Sequence, residues 1–261
     1  MNKKISNAIR DTGPYSSRYT SKGALLVEAN LIIDSLSSGL SMDQMRKQVL
    51  EGSIIRQRTR ASRERVWDSL NYRLFTHRKG WIIESLKHAN ANGPHSPEFV
   101  SMVYLFYALR DRLTYDIVTE LIWSRWQNNQ LELYREDILS VLDEASAAQP
   151  QVRRWSETSR VKLASSILTS LRDFGILEGV RKKRIVRPVL PLYTAEQLLH
   201  VLTSEGVRGR EVIEDSAWRL FLCSEQDVAD VLARLSQSGK IHFERVGNTV
   251  VLKTPESWKE E

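Results

Sequence analysis

The sequence predicts a mainly α-helical protein that ends in a small α+β domain. Three observations carry this reading. Apolar residues recur with helical spacing between about residues 25 and 174. Glycine and proline are sparse, 12 and 7 among 261 residues, which argues against a loop-rich all-β chain. After Pro188 the pattern becomes helix, alternation, helix and hairpin. Hydrophobic residues make up 41%, enough for a core, and 27% charged residues argue against disorder throughout. The length suits one large or two modest domains. The division read from the sequence is an N-terminal arm over 1–20, a helical domain ending in a basic β-ribbon over 21–190, and a C-terminal domain with a short acidic tail over 191–261.

The arm mixes Gly13, Pro14, serines and tyrosines and reads as extended. Leu25, Ala29, Ile32, Ile33 and Leu36 share one helical face, which Gly39 ends. Ser41 and Gln44 form a capping-box pattern ahead of a helix that buries Met42, Met45 and Val49 and stops at Gly52. A third helix is expected over about 62–74, with Val66, Trp67, Leu70 and Leu74 inward, and a fourth over about 79–89. Ser96, Pro97 and Glu98 read as N-cap, N1 proline and first-turn acid. The segment they open, 99–109, is apolar nearly all round and belongs at the centre of a bundle. Segments 114–126 and 135–148 supply two more helices, and Pro150 marks a break.

A helix over about 156–174 follows, with Val161, Ala164, Ile167, Leu168, Leu171 and Phe174 on one face. Residues 175–188 read as a short β-ribbon with a basic tip. Thr194 to Gln197 is a second capping-box pattern, and Trp218, Leu220 and Leu222 alternate as a short strand. Ser224 caps a helix with Val228, Val231, Leu232 and Leu235 inward. Two strands then flank Gly247 and Asn248, a two-residue hairpin signal. This order makes the C-terminal domain winged-helix-like.

Catalytic signatures are missing. There is no phosphate loop, dinucleotide fingerprint, nucleophile elbow or His-Glu-x-x-His helix. His77, His88, His95, His200 and His242 do not pair at metal-ligand spacing, and no Glu-x-Lys or Asp-x-Lys tripeptide suggests a nuclease. The single cysteine, Cys223, excludes an internal disulfide and a cysteine zinc cluster, and its apolar neighbours suggest a buried small hydrophobe. No catalytic residue, metal or cofactor is expected, and a reducing cytoplasm fits. No apolar run is long enough to span a bilayer. Residues 1–4 lead into no apolar segment, so no signal peptide is expected.

The net charge of +6 hides an asymmetry. Residues 1–190 hold 30 basic and 20 acidic side chains, while 191–261 hold 8 and 12. A polyanionic partner should therefore meet the first part. Arg56, Arg58 and Arg60 alternate in a connection without hydrophobic pattern, and Arg63 and Arg65 enter the next helix near its N-terminus. Cations are mildly unfavourable there, so a nearby phosphate would make sense of them. The alternative is that these arginines are solvated or paired within the protein, with Glu51, Glu64 and Asp68 near enough in sequence to be partners.

The second cluster comprises Arg153, Arg154, Arg160, Lys162, Arg172, Arg181, Lys182, Lys183, Arg184 and Arg187. Only Glu157, Asp173 and Glu178 oppose it. Such a concentration of charge resists compaction unless screened, and a nucleic-acid backbone screens it with counterion release. The candidate nucleic-acid-binding residues are the five arginines of the first cluster and, from the second, all but Arg172. The C-terminal helix opens with Glu225, Asp227 and Asp230, unfavourable for groove reading, so that domain is expected to pack or dock. Of seven tryptophans, five are expected in the core; Trp155 and Trp258 are the two that sequence context leaves exposable.

Several of these features together resemble the BrxA family of bacterial BREX phage-defence systems. They are the early helix over 23–36, Ile54, Ile55, Arg56, Gln57 and Arg58 leading into Val66 and Trp67, the Ile185-Val186-Arg187-Pro188 segment, and the winged-helix-like end over 239–252. The resemblance covers about 20–251. It implies a small non-enzymatic protein whose N-terminal helical bundle is NusB-like and which binds DNA. It also implies neighbours in the same system, namely a methyltransferase, an alkaline-phosphatase-like protein and a large ATPase, and no membrane partner. The function expected is largely sequence-independent double-stranded DNA binding. The competing readings are a protein-interaction adaptor within the defence complex, or RNA binding by analogy with NusB-like proteins.

Overall fold

The computed structural model describes residues 8–20, 22–76, 79–247 and 249–259. Several of its helices start on side-chain caps that the sequence supplies. After a single turn, α1 (Ser17–Thr20), α2 (Leu26–Ser37) buries Ala29, Ile32, Ile33 and Leu36. α3 (Met42–Glu51) begins on the expected capping box: Gln44 N–H donates to Ser41 Oγ at 3.3 Å, and Ser41 N–H donates to Gln44 Oε1 at 2.9 Å. α4 (Arg60–Leu70) begins two residues earlier than expected, because the Thr59 hydroxyl accepts from Ser62 N–H. It runs on as a π-helical turn, Asn71–Phe75.

α5 (Gly80–Asn90) leads to α6 (Pro97–Arg110), capped by Ser96 with Pro97 in the first turn. Every residue from 101 to 109 is buried, so α6 is the central rod that its all-round apolar sequence predicts. α7 (Arg112–Asp116), a π-helical stretch (Ile117–Ile122) and α8 (Trp123–Gln127) follow end to end. α9 (Arg135–Ala148), α10 (Pro150–Arg153) and α11 (Glu157–Asp173) complete the helical part.

The basic ribbon is three-stranded. β1 (Glu132–Leu133), an unexpected strand, pairs with β3 (Lys183–Ile185), which also pairs with β2 (Leu177–Glu178), all antiparallel. Leu133 faces Lys183, and Leu177 faces Ile185.

Two expectations fail in the last third. Thr194 caps nothing: α12 (Leu192–Ser204) starts after Pro191, and buried Thr194 shares a 2.7 Å hydrogen bond with Ser101 of α6. Trp218, Leu220 and Leu222 form no strand. α13 (Glu211–Glu214) is followed by a 3-10 helix (Ser216–Phe221), because the Asp215 carboxylate accepts from Ala217 N–H at 2.8 Å and turns the chain. α14 (Glu225–Gln237) starts on Ser224 as expected. β4 (His242–Val246) and β5 (Thr249–Lys253) pair across the turn at Gly247, and a 3-10 turn (Glu256–Lys259) follows. Asn248, His77 and the tail residues 260–261 lie outside the described residues.

One apolar core runs from Ile9 through α6 to Ile241. The Tyr104 hydroxyl of α6 donates to the Leu220 carbonyl at 3.0 Å. The arm, too, is part of the body. Ile9 and Tyr15 are buried, Asp11 N–H donates to the Leu109 carbonyl at 2.8 Å, and the Arg10 guanidinium bonds to Glu205 and, at 3.0 Å, to both oxygens of Asp215.

Candidate nucleic-acid interface

The first arginine cluster divides into two kinds of residue. Arg56 and Arg58 stand exposed on the connection between α3 and α4, which buried Ile55 pins to the core. Arg60 is exposed in the first turn of α4. None of the three side chains has an ion-pair or hydrogen-bond partner among the described residues.

Arg63 turns inward instead. Its Nε donates to the Leu50 carbonyl at 2.9 Å, and its Nη1 to the carbonyls of Gln57 (2.8 Å) and Arg58 (3.2 Å). This guanidinium holds the connection in the shape that presents Arg56 and Arg58. It also lies where a Cβ on Gly52 would come within 3.2 Å, and Gly52 is left-handed at φ 89°. Arg65 stays exposed and donates to the Ala61 carbonyl at 3.1 Å. Asp68, expected as a local partner, pairs at 3.5 Å with Arg18 of α1, a residue the sequence reading passed over.

The second cluster divides the same way. Arg153 ends α10 and Arg154 caps it; both are exposed, as is Lys162 on α11. Trp155 beside them is half-buried against the core. Arg160 lies 2.6 Å from Asp143 and ties α11 to α9. On the ribbon, Lys183 is buried, and its ammonium donates to the Gly179 and Val180 carbonyls at 2.7 and 3.0 Å. Burial foremost, and then the charge of nearby Arg172, lowers its pKa.

The ribbon loop is tight. Gly179 has φ 87°, and a Cβ there would stand 2.1 Å from the Lys182 carbonyl oxygen, so only glycine fits. The tip therefore projects Val180, Arg181 and Lys182 into solvent. Arg184 is exposed and lies 3.6 Å from Glu178, its cross-strand neighbour. Arg187 pairs with Asp227 at 2.8 Å.

Four of the fourteen expected residues, Arg63, Arg160, Lys183 and Arg187, thus have their charge engaged within the protein. Arg65 and Arg184 are exposed with a single weak contact each. Eight present unpaired cations among the described residues: Arg56, Arg58, Arg60, Arg153, Arg154, Lys162, Arg181 and Lys182. Unpaired exposed cations suit phosphate oxygens, which need charge and donors without a fixed base-edge geometry.

A family model for BrxA matches residues 13–202, nearly three quarters of the chain. The chain belongs to the BrxA family. The family places it among the proteins of BREX phage-defence systems. The matched span begins in the arm, takes in both arginine clusters and ends within α12.

Three solved chains match in structure. One, described as the crystal structure of an uncharacterized protein from Magnetospirillum magneticum, aligns with TM-score 0.61 at 18% identity, covering 81% of this chain and 100% of that one. At that identity the likeness shows the fold alone. A search of curated proteins found no match. No helix among the described residues is long and apolar enough to cross a membrane.

Proposed function

We propose that this BrxA-family protein is a non-enzymatic accessory factor of a BREX system that binds double-stranded DNA through its phosphates, largely independently of sequence. The observation that carries this reading is the set of eight exposed, acid-free cations on the α3–α4 connection, the α10–α11 corner and the ribbon tip. Loops and turn tips offer charge to a backbone; they do not insert a rigid element into a groove. The end of the chain supports a winged-helix-like reading in its order of α12, α13, 3-10 helix, α14 and hairpin, and the α-helical remainder a NusB-like one. The acids Glu225, Asp227 and Asp230 favour packing over base reading for α14. The methyltransferase, phosphatase-like protein and ATPase of the system are the protein partners proposed.

The test is a titration with duplex DNA, single-stranded DNA and RNA, each at two salt concentrations. Five to eight phosphate contacts predict that the logarithm of the duplex binding constant falls with the logarithm of salt with a slope of roughly −5 to −7. Duplex binding that is absent at low salt, or insensitive to salt, overturns the proposal. A single site bound more than about a thousandfold tighter than bulk duplex overturns its sequence independence.

A protein-interaction adaptor is the second reading. Val180, at 79% exposure, stands among the cations of the ribbon tip, and an exposed apolar residue suits a protein surface. A partner protein that stays bound under excess nonspecific duplex would favour it.

A further inference from the structure

Three rings stack where α5, α12 and the final turn of the chain meet. His200 lies between Trp81 and Trp258, with centroid separations of 4.0 and 4.4 Å and interplanar angles of 27° and 13°. The imidazole is 3% exposed. Burial, and then the charge of Lys79, pull its pKa down to about 4, so the ring is neutral near pH 7.

Two in-plane polar atoms of this stack are unused. His200 Nε2 and Trp81 Nε1 are both buried without a hydrogen-bond partner among the described residues. Native structures seldom leave such atoms unsatisfied, and a pair of them in one stack invites a ligand or water. A cavity of about 690 Å³ adjoins them, bordered by His88, Tyr193, Gln197 and Trp258. A second cavity of about 470 Å³ shares Trp258 with the first and adds Lys79, Arg208 and Lys253.

The two cavities together offer flat aromatic walls, the polar side chains of His88 and Gln197 along one wall, and cations beyond. A nucleotide has the complementary parts: a flat base with donors and acceptors on its edge, and an anionic phosphate. We propose that these joined cavities receive one unpaired nucleotide of a single strand, and that Trp258 occupies the place of its base on His200 while the site is empty. Trp258 lies nearly parallel to His200, as a stacked base would. It sits in a four-residue 3-10 turn near the end of the chain, where local opening costs least. Lys79 and Lys253 take the phosphates, and Arg208, whose Nη1 donates to the Thr203 and Val207 carbonyls, adds its charge beside them. No residue of the proposed duplex-binding surface takes part, so each proposal stands or falls without the other.

The experiment measures binding of a labelled 12-nucleotide single strand, AMP as competitor, and a duplex of the same length. The proteins are the full chain and its Trp258→Ala, His200→Ala, Gln197→Ala and Trp258→Ala/His200→Ala forms. Removing the occupant should tighten single-strand binding at least fivefold and leave duplex binding unchanged. The double variant should lose that gain. Gln197→Ala removes a polar partner from the cavity wall and should weaken single-strand binding about threefold, which keeps the test informative if His200→Ala folds poorly. AMP should compete at least tenfold more weakly than the strand; equal affinity overturns the strand as the ligand. If Trp258→Ala binds the single strand no tighter than the parent, or if the gain survives the loss of His200, the proposal is overturned.

Discussion

The Arg187 guanidinium lies 2.8 Å from the Asp227 carboxylate, which ties the chain leaving the basic ribbon to the first turn of α14. Asp227 also accepts from Ser224 N–H at 2.7 Å and from the Ser224 hydroxyl. Partial burial raises its pKa, but the hydrogen bonds from Ser224 and Arg187 outweigh that and hold it below the usual carboxylate range. Arg187 therefore belongs to the scaffold. Arg187→Ala should leave the salt slope of duplex binding unchanged and lower stability by about 0.5–1 kcal/mol, modest because the pair is partly exposed. Urea denaturation and a salt titration check the two halves; a slope lowered by a full contact would return Arg187 to the binding surface.

Arg63 and its exposed neighbours should separate cleanly. Arg63→Ala strands the carbonyls of Leu50 and Gln57 and should cost about 1–3 kcal/mol in denaturant unfolding. Arg56→Ala, Arg58→Ala and Arg60→Ala together should stay within about 0.5 kcal/mol of the parent while lowering the duplex salt slope by roughly two to three. The reverse pattern would mean that the connection binds nothing.

Within the ribbon tetrad, Arg181→Ala with Lys182→Ala should lower the slope by about 1.8, two contacts at about 0.9 each. Lys183→Ala should not change the slope, because its ammonium is spent on the Gly179 and Val180 carbonyls. Changing Arg245 and Lys253 to Ala should barely affect duplex binding, since that end of the chain is net acidic. A tetrad variant that binds like the parent, beside a C-terminal pair that abolishes binding, would relocate the surface to the hairpin.

His200 gives the protein an acid-sensitive point. Its folded pKa of about 4 lies below the ordinary histidine value of 6.5. Between those values the unfolded chain binds a proton that the folded chain refuses, so stability falls as pH drops through that window and is fully retained above it. The loss should reach roughly 2 kcal/mol by pH 4, the linkage value reduced for residual solvation of the site. Thermal unfolding across pH 4–7 measures it. His200→Phe keeps a ring in the stack and should flatten this part of the profile; an unchanged profile would place the acid sensitivity elsewhere.

Local order was legible in the residues wherever a cap announced it. Ser41 with Gln44, Ser96 with Pro97, and Ser224 each start the helix their sequence predicts, because the cap and its N–H partner lie within three residues. Trp218, Leu220 and Leu222 misled because burial there does not alternate: Ala217 and Phe221 are buried beside them, in a 3-10 helix of about two turns that the Asp215 cap opens and left-handed Leu222 ends. Thr194 misled because a hydroxyl that resembles a cap can equally face a buried partner, here Ser101.

Composition located the basic segments but not which cations are free. Arg160 and Arg187 meet acids 17 and 40 residues away, and Arg63 meets backbone carbonyls, partners fixed only by tertiary packing. The stack of Trp81, His200 and Trp258 had no local signal for the same reason.

The arm sets an order of events. Arg10 is made well before its partners Glu205 and Asp215, which follow 195 and 205 residues later. At typical elongation rates the interval is roughly 10–40 s. Through that time the Arg10 guanidinium has neither carboxylate to pair with. Closing so long a loop is slow, so this clasp forms after shorter-range contacts. A growing chain thus carries a timer: until Glu205 and Asp215 have been synthesised, the clasp that fastens the arm has nothing to close upon.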